Sequence, residues 1–504
     1  MNIPFRCAPI LCGLMLTGCF SSSGTGQDAK PAEATPQDSS NAGTLNDFRA
    51  TPPTPGPMPE FLPPEAIRKV MDNGLTVLSV QKSELPLVHF HMVLRSGTAM
   101  DPEKSEGLAG FLSEMIRAGT KTRSAADIDD AIETLGSALH ITADQDSMVI
   151  SFTALKENFA PVLDVVTDII QNPAFANKEL KRVRGRRLGS LAQVREDPTS
   201  MAWRVFRRSV YGNHAYGHSD LGTEETIEHA KPSDFIAFYK KHFRPGNAAV
   251  IITGDMSADD TFAAVDKRLA SWRGKGGSPE APSAPTAQAA SGVILVDKPE
   301  APQSQLRIGH LAVSRDDPDY FPIVLCNAIL GGMFNSRINM NLREDKGFTY
   351  GARSSFDFLR GQGSFVVSTG VRTDVTTPAI QEVLHELDQI RSQDVTQGEL
   401  DRAKQWYSRS LPGFFQTIDG IAGMIANIYL FDLPLDYYRT LPDKIAAVTI
   451  EDVRRVAQAH IKPSELAIVV VGDRKQVEPT LAELKRGPIQ IRNADGELIT
   501  KPNG

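Results

Sequence analysis

Cysteine is scarce in this 504-residue chain, which has Cys7, Cys12, Cys19 and Cys326 and no others. The first two lie in an N-terminal segment that we expect to be removed, and Cys19 is the residue that we expect to carry a lipid. Cys326 would then be the one free thiol of the mature chain, so an intrachain disulfide is excluded. The stability of the chain must therefore come from its hydrophobic cores.

Positive charge is also in short supply. The chain has 54 Lys and Arg against 61 Asp and Glu, a net charge of −7. An acidic chain is poorly suited to a phosphate backbone, which excludes nucleic acid as the main partner. Beyond the N-terminus we find no apolar run long enough to cross a bilayer. The hydrophobic content of 41% is nevertheless ordinary for a globular protein.

The first nineteen residues have the pattern of a targeting segment. Arg6 supplies a positive charge, and the apolar run 10–16 is too short to span a bilayer. The run ends in the tetrapeptide LTGC, which resembles a bacterial lipobox and predicts cleavage before a lipidated Cys19. Phe20 follows in place of Asp, which favours the outer membrane and a position on its periplasmic side. The alternative is an ordinary secretory signal in which Cys19 is incidental.

The composition changes twice along the chain. Two stretches are rich in Pro, Ser, Ala and Gly and show no apolar periodicity, so we interpret them as flexible connections. The predicted organisation is a signal peptide (1–19), a tether (20–64), a first domain (65–273), a linker (274–291), a second domain (292–490) and a C-terminal tail (491–504).

The two halves are internally related. Residues 231–255 align with residues 449–473 without a gap, and each copy is predicted to be a helix, a Pro-marked loop and an apolar strand that ends at Gly. His242 and His460 fall at equivalent positions of the repeat, so we interpret them as structural residues. A repeat of this length indicates duplication of a whole domain. The predicted fold class is α+β, with two duplicated domains that each pack helices on one face of a mixed or antiparallel sheet.

The segment 107–120 reads GLAGFLSEMIRAGT, and its apolar residues recur at i, i+3, i+4, i+7 and i+8. This spacing predicts an amphipathic helix. The segment resembles the signature helix of the M16 family, the pitrilysin/insulinase-like zinc peptidases, in which the framework G-x-A-H-F-L-E-H-M carries the metal site. There, two histidines bind zinc and the glutamate activates water. The corresponding positions here are Gly110, Ser113 and Glu114, so the resemblance implies a degenerate site that holds no metal.

The family takes a third ligand, a glutamate, from a later helix. The resemblance places that helix at 177–195 and the glutamate at about Gly189 or Ser190, where it is absent. The helix is also strongly basic, which disfavours a dication nearby. We interpret the basic run as a solvated helix face, and the alternative is a wall that attracts substrate. Its members are Lys178, Lys181, Arg182, Arg184, Arg186 and Arg187.

Other histidines could in principle rebuild a metal site. His214 and His218 are four residues apart, but neighbouring glycines make a helix there improbable, so the two need not share a face. His89 and His91 alternate in a predicted strand and therefore face the same side. Such pairs are more often structural than ligating.

The second half contains LGGMFNSR at 330–337, followed by LREDKGFTYG at 342–351. This resembles the second-domain motif of the same family, in which an arginine and a tyrosine reach toward the substrate. Arg343 and Tyr350 occupy those positions. Without the resemblance, Arg343 would be interpreted as a surface residue and Tyr350 as a buried strand aromatic. The glycine pair 331–332 predicts a loop with a close backbone approach.

The resemblance covers about residues 65–490. It implies a zinc-free subunit of a heterodimeric M16-like metallopeptidase, with zinc and an intact H-x-x-E-H helix in the partner subunit and no cofactor in this chain. Arg343 and Tyr350 would bind peptide substrates in trans, and the lipid anchor would hold the complex at a membrane. One alternative is a non-enzymatic scaffold with the same fold. Another is an autonomous enzyme whose divergent metal site uses His214 and His218.

Overall fold

The computed structural model describes residue 56 and residues 61–285 and 290–499. The predicted signal peptide, Cys19 and nearly all of the tether lie outside the described residues. The strands of the first half are β1 (Ile67–Val70), β2 (Thr76–Gln81), β3 (Leu87–Leu94), β4 (His140–Ala143), β5 (Met148–Leu155) and β6 (Ala248–Gly254). Its helices are α1 (Leu108–Ile116), α2 (Ala125–Thr134), α3 (Lys156–Gln171), α4 (Asn177–Glu196), α5 (Pro198–Tyr211), α6 (Glu224–His229), α7 (Pro232–His242) and α8 (Ala258–Leu269).

The second half repeats this mixture of elements. Its strands are β7 (Gly292–Asp297), β8 (Gln303–Leu311), β9 (Ala352–Asp357), β10 (Ser364–Arg372), β11 (Ala467–Gly472) and β12 (Gln490–Arg492). Its helices are α9 (Tyr320–Asn327), α10 (Arg337–Asn339), α11 (Thr376–Ser392), α12 (Gln397–Ser410), α13 (Ile418–Leu430), α14 (Tyr437–Ala446), α15 (Ile450–His460) and α16 (Arg474–Leu481). Two π-helical turns, Ala328–Gly332 and Met340–Asp345, follow α9 and α10.

The two sheets confirm the predicted duplication. Their strand orders are β1-β2-β6-β3-β5-β4 and β12-β7-β11-β8-β10-β9, so five successive positions correspond between the halves. β6 pairs in parallel with β2, and β11 pairs in parallel with β7 in the same way. The remaining pairs within the shared five strands are antiparallel. Each domain is therefore an α+β unit with a mixed sheet, as the sequence predicts.

The two domains exchange helices. Side chains on one face of β6, such as Val250 and Ile252, pack on first-half helices, while Ala249 and Ile251 on the other face join a core that contains Ile421 of α13. Thr253 Oγ1 donates to the carbonyl of Ile418 at 2.7 Å. Conversely, α5 packs on the second sheet against β8 and β11. The second face of each sheet is thus covered by a helix from the other half, which the sequence analysis did not predict.

The predicted boundaries of the second domain need one correction. Residues 491–499 are not a free tail, because β12 pairs with β7 and Asp495 forms ion pairs with Arg195 and Arg204. The sequence analysis found no apolar run beyond the N-terminus long enough to cross a bilayer, but the helical stretch Tyr320–Asp345 is long and apolar enough by length and composition. Its apolar side chains are largely buried in the second domain, so core packing accounts for this composition.

Candidate functional site

Helix α1 begins at a tightly packed turn. Gly107 has φ +83°, and a Cβ there would lie less than 3.0 Å from the backbone of Gly222. The carboxylate of Asp101 accepts hydrogen bonds from the amides of Gly107 and Ala109 at 2.8 and 2.7 Å. These bonds satisfy amides at the helix N-terminus that have no partner within the helix. Burial raises the pKa of Asp101 to about 8.

The three degenerate positions on α1 have well-defined neighbours. A Cβ at Gly110 would lie less than 3.0 Å from the carbonyl oxygen of Asp220, so the backbone leaves no room for a side chain. Ser113 turns its hydroxyl back to the carbonyl of Gly110 at 2.7 Å. The Glu114 carboxylate accepts from Arg186 at 2.7 Å and from Arg187 at 2.6 Å. None of the three is free to bind a ligand.

Arg187 of α4 is buried beside the degenerate positions, a role that the sequence analysis did not predict. Its side chain is 2% exposed, its guanidinium lies 5.1 Å from the Phe111 ring centroid, and burial lowers its pKa. Besides Glu114, the guanidinium donates to the carbonyls of Gly107 and Leu221, both at 3.2 Å, and to that of Asp220. Interpretation of the whole basic run as a solvated face is therefore wrong for Arg187.

The described residues around α1 do not fit zinc. A zinc site needs three or four neutral or anionic donors, whereas this one offers one carboxylate that is already paired with two arginines. At the expected third position, Gly189 has no side chain and the Ser190 hydroxyl donates to the carbonyl of Arg186 at 3.2 Å. A buried guanidinium, held by a carboxylate and backbone carbonyls, stands beside the degenerate positions.

The other histidines have structural partners. His214 Nε2 bonds to the Ser283 carbonyl at 2.7 Å, and His214 Nδ1 accepts from the Tyr216 amide at 3.2 Å, which leaves no nitrogen for a metal shared with His218. Among the described residues, one group of potential metal ligands lies together, formed by Asp317, Asp319 and His460. Asp319 in this group already pairs with Arg455 and His460. The ring centroids of His89 and His91 lie 5.9 Å apart on β3, and helix α13 packs on this strand.

The second-domain motif is exposed. The Tyr350 side chain is 91% exposed, so the interpretation of Tyr350 as a buried strand aromatic is wrong. Phe334 is 64% exposed, and the Arg343 guanidinium lies 4.7 Å from its ring centroid. Arg343 Nε also lies 3.2 Å from Glu344. This segment presents an arginine fork and a phenol to the outside of the chain.

Two features fix the backbone of that segment. Gly331 lies in a π-helical turn and not in the predicted loop. The predicted close backbone approach is confirmed, because a Cβ at Gly331 would lie less than 3.0 Å from the Ser354 amide nitrogen. Asn339, which is buried, donates to the Phe334 carbonyl at 2.6 Å and accepts from the Ala352 amide at 3.0 Å. Asn339 therefore ties the Phe334 turn to the strand that begins just after Tyr350. The sequence analysis missed it.

We call the degenerate positions on α1 and the segment with Arg343 and Tyr350 the two half-sites, and the chain forms no direct polar contact between them in its described residues. In the described residues, no hydrogen bond or ion pair connects α1 to Arg343 or Tyr350, and the two lie in different domains. Glu114 is engaged by α4, whereas Arg343 and Tyr350 face outward.

Two family models match the chain. Residues 76–224 match the model described as insulinase (peptidase family M16), and residues 230–406 match the model described as peptidase M16 inactive domain. Together these segments cover most of both domains.

Curated relatives and solved structures agree with this family. The chain is 24% identical to a protein named non-peptidase homolog YmxG from Helicobacter pylori, over 78% of this chain and 90% of the relative. It is 23% identical to an uncharacterized zinc protease, YmxG, from Bacillus subtilis, over 78% and 93% respectively. A crystal structure titled peptidase M16 inactive domain, from Pseudomonas fluorescens, superposes with a TM-score of 0.76 at 25% identity, over 81% of this chain and 98% of that one.

Proposed function

The chain belongs to peptidase family M16, and from this premise we propose that it is the zinc-free subunit of a heterodimeric M16 metallopeptidase. One observation carries the proposal: a buried arginine lies beside the degenerate metal positions, while the other domain holds a half-buried Arg343 and an exposed Tyr350. The first feature means that the described residues around α1 do not form a zinc site. In the second, Arg343 forms its ion pair and ring contact with neighbours of its own segment, Glu344 and Phe334, and Tyr350 is 91% exposed, which supports a role toward a second molecule.

In this proposal the partner subunit carries an intact H-x-x-E-H helix, and its zinc supplies the activated water. Arg343 binds a carbonyl or carboxylate of the peptide substrate through two hydrogen bonds. The Tyr350 hydroxyl donates to the carbonyl oxygen as it gains negative charge. Loss of one such donor costs about 2.7–4 kcal/mol of barrier, which is about a hundredfold or more in rate.

The test is cleavage of a quenched peptide library by the chain alone, by the partner alone and by the mixture. Activity in the mixture only is the expected result. Arg343→Ala and Tyr350→Phe should each lower kcat of the mixture about a hundredfold while the complex still forms. Arg372→Ala is the matched control, because Arg372 is an exposed arginine of the same domain. Full activity of the Arg343 and Tyr350 variants would refute the proposal.

A non-enzymatic scaffold is the second candidate. It is supported by the Helicobacter pylori relative, which is named a non-peptidase homolog. In that case the mixture would show no activity beyond that of the partner alone, while the two chains would still bind each other. The cleavage assay with a binding measurement separates the two functions.

We also propose that Cys19 carries a lipid that anchors the chain on the periplasmic side of the bacterial outer membrane. The support is the LTGC tetrapeptide after the short apolar run and Phe20 at the next position. Labelled palmitate should be incorporated into the wild-type chain and not into Cys19→Ser. Recovery of the Cys19→Ser variant in the same membrane fraction as the wild type would refute the anchor.

A further inference from the structure

Helix α4 has a basic outward face on an acidic protein. The helix contains seven basic and two acidic residues, a net charge of +5, in a chain whose net charge is −7. Its inward side chains, Leu180, Val183, Arg187 and Leu191, are buried. Its outward face carries four exposed basic residues, which are Lys178, Lys181, Arg182 and Arg186.

These outward charges are poorly neutralised within the chain. Lys178 and Lys181 form no ion pair among the described residues. Arg182 pairs with Glu179 of its own helix at 2.7 Å. Arg186 shares the Glu114 carboxylate with Arg187, so one negative charge faces two guanidinium groups. The face therefore keeps a surplus of positive charge that the fold itself does not use.

The same face leaves the helix backbone accessible. Gly185 and Gly189 are exposed, and a Cβ at either position would have no atom within 4 Å. No contact among the described residues accounts for either glycine, although glycine in a helix interior costs about 1 kcal/mol relative to alanine. Two glycines one turn apart let another chain approach the helix closely between the basic side chains.

The position of the face connects it to the candidate site. Arg186 reaches from this face to Glu114 on α1, so an extended segment lying along α4 would pass beside the degenerate metal positions. The charge surplus fits an anionic segment and opposes a cationic one. We propose that the outward face of α4 binds acidic stretches of the peptides that the complex cleaves. This inference rests on the proposed function, since it names the substrate class.

The test measures fluorescence anisotropy of a labelled Asp/Glu-rich peptide with the full chain carrying Cys19→Ser. We expect binding that weakens as salt is raised from about 50 to about 500 mM, and no binding of a Lys-rich peptide of equal length. Lys178→Glu with Lys181→Glu should weaken binding about tenfold or more. The matched control is Lys240→Glu with Lys241→Glu on α7, an identical charge change on another exposed helix end, which should change binding less than about twofold.

The glycines give a second readout. Gly189→Ala should raise the thermal midpoint, because alanine is the better helix former, whereas Gly189→Leu should weaken peptide binding by blocking the backbone. Absence of binding, or equal losses in the α4 and α7 charge variants, overturns this inference. Cleavage of neutral peptides by the mixture would then leave the proposed function standing. Acidic-peptide binding with a silent mixture would instead refute the proposed function and retain a binding face.

Discussion

Arg187→Met tests whether the buried guanidinium stabilises the first domain in place of a metal. Methionine is unbranched and of similar length, so it fills much of the same space without donating a hydrogen bond. The substitution removes the ion pair to Glu114 and the donors to the carbonyls of Gly107, Asp220 and Leu221. The carbonyls then lose partners in a place that water reaches poorly.

The expected loss follows from these contacts. Removal of one partner of a buried ion pair costs about 3–5 kcal/mol, and a buried carbonyl left without a donor adds about 1–3 kcal/mol. Two features reduce the total: the Glu114 side chain is 28% exposed, and it keeps Arg186 as a partner. We expect a decrease of about 3–4 kcal/mol in the free energy of unfolding. A domain with about 5–15 kcal/mol of stability would remain folded.

Urea unfolding of the wild type, Arg187→Met and Lys181→Met measures this loss. Lys181→Met is the control, because it removes an exposed cation from the same helix and should change stability by less than about 0.5 kcal/mol. Glu114→Gln should be destabilising in the wild type and nearly neutral in Arg187→Met, because the carboxylate has then lost its buried partner. A loss of less than about 1 kcal/mol for Arg187→Met would refute the structural role of the guanidinium.

Four other predictions concern the metal positions, the Arg343 segment, the domain exchange and pH. The triple variant G110H/S113E/E114H should bind no stoichiometric zinc and be less stable, because a side chain at position 110 overlaps a backbone carbonyl; one zinc per chain in metal analysis would contradict this. Asn339→Ala should lower kcat of the mixture about tenfold or more at unchanged partner affinity, and unchanged kcat would show that Asn339 does not position the segment. When the chain is divided within residues 274–291, each half expressed alone should lack cooperative unfolding, whereas co-expression of the two halves should restore it. Cooperative unfolding of one half alone would contradict the helix exchange. The free energy of unfolding should decrease as pH falls from 6.5 toward 4, because the unfolded chain takes up protons on four histidines that the folded chain keeps neutral, and the raised pKa of Asp101 offsets part of this decrease; a flat profile would contradict it. Burial lowers the pKa of these histidines from 6.5 to about 3 or 4: His89, His91, His242 and His310.

The sequence predicts the domain fold because periodicity and the internal repeat report on local structure and on its duplication. The repeat 231–255 and 449–473 predicts a helix, a loop and a strand in each copy, and the structure has α7 and β6 in the first copy and α15 and β11 in the second. The sequence analysis did not predict the exchanged helix α5, although its buried apolar residues recur with a helical period. Its start signals, an Asp197 side-chain cap and Pro198 in the first turn, were present in the sequence. Which sheet a helix covers depends on long-range packing that periodicity does not encode.

The sequence also predicts only part of the candidate site. A family framework identifies which groups are missing at Gly110, Ser113 and Glu114, but it does not reveal what replaces them. Arg187 could have been found from its phase, because it recurs with Leu180, Val183 and Leu191 on one side of α4. The burial of Asn339 depends on a turn and a strand that meet only in the folded chain.

The two half-sites differ in how much of their structure the chain itself explains. The degenerate metal positions are satisfied internally, since a carboxylate, a guanidinium and backbone carbonyls pair with one another around α1. The positions that lack zinc ligands therefore leave no buried charge without a partner. Arg343 and Tyr350 are the opposite case: buried residues such as Asn339 and Gly331 fix their backbone, while the side chains contact little. Such a packed support beneath the motif favours the proposal that Arg343 and Tyr350 face another molecule. A scaffold that bound its partner elsewhere would have no use for that support, which is why the Arg343 and Tyr350 variants decide between the two functions.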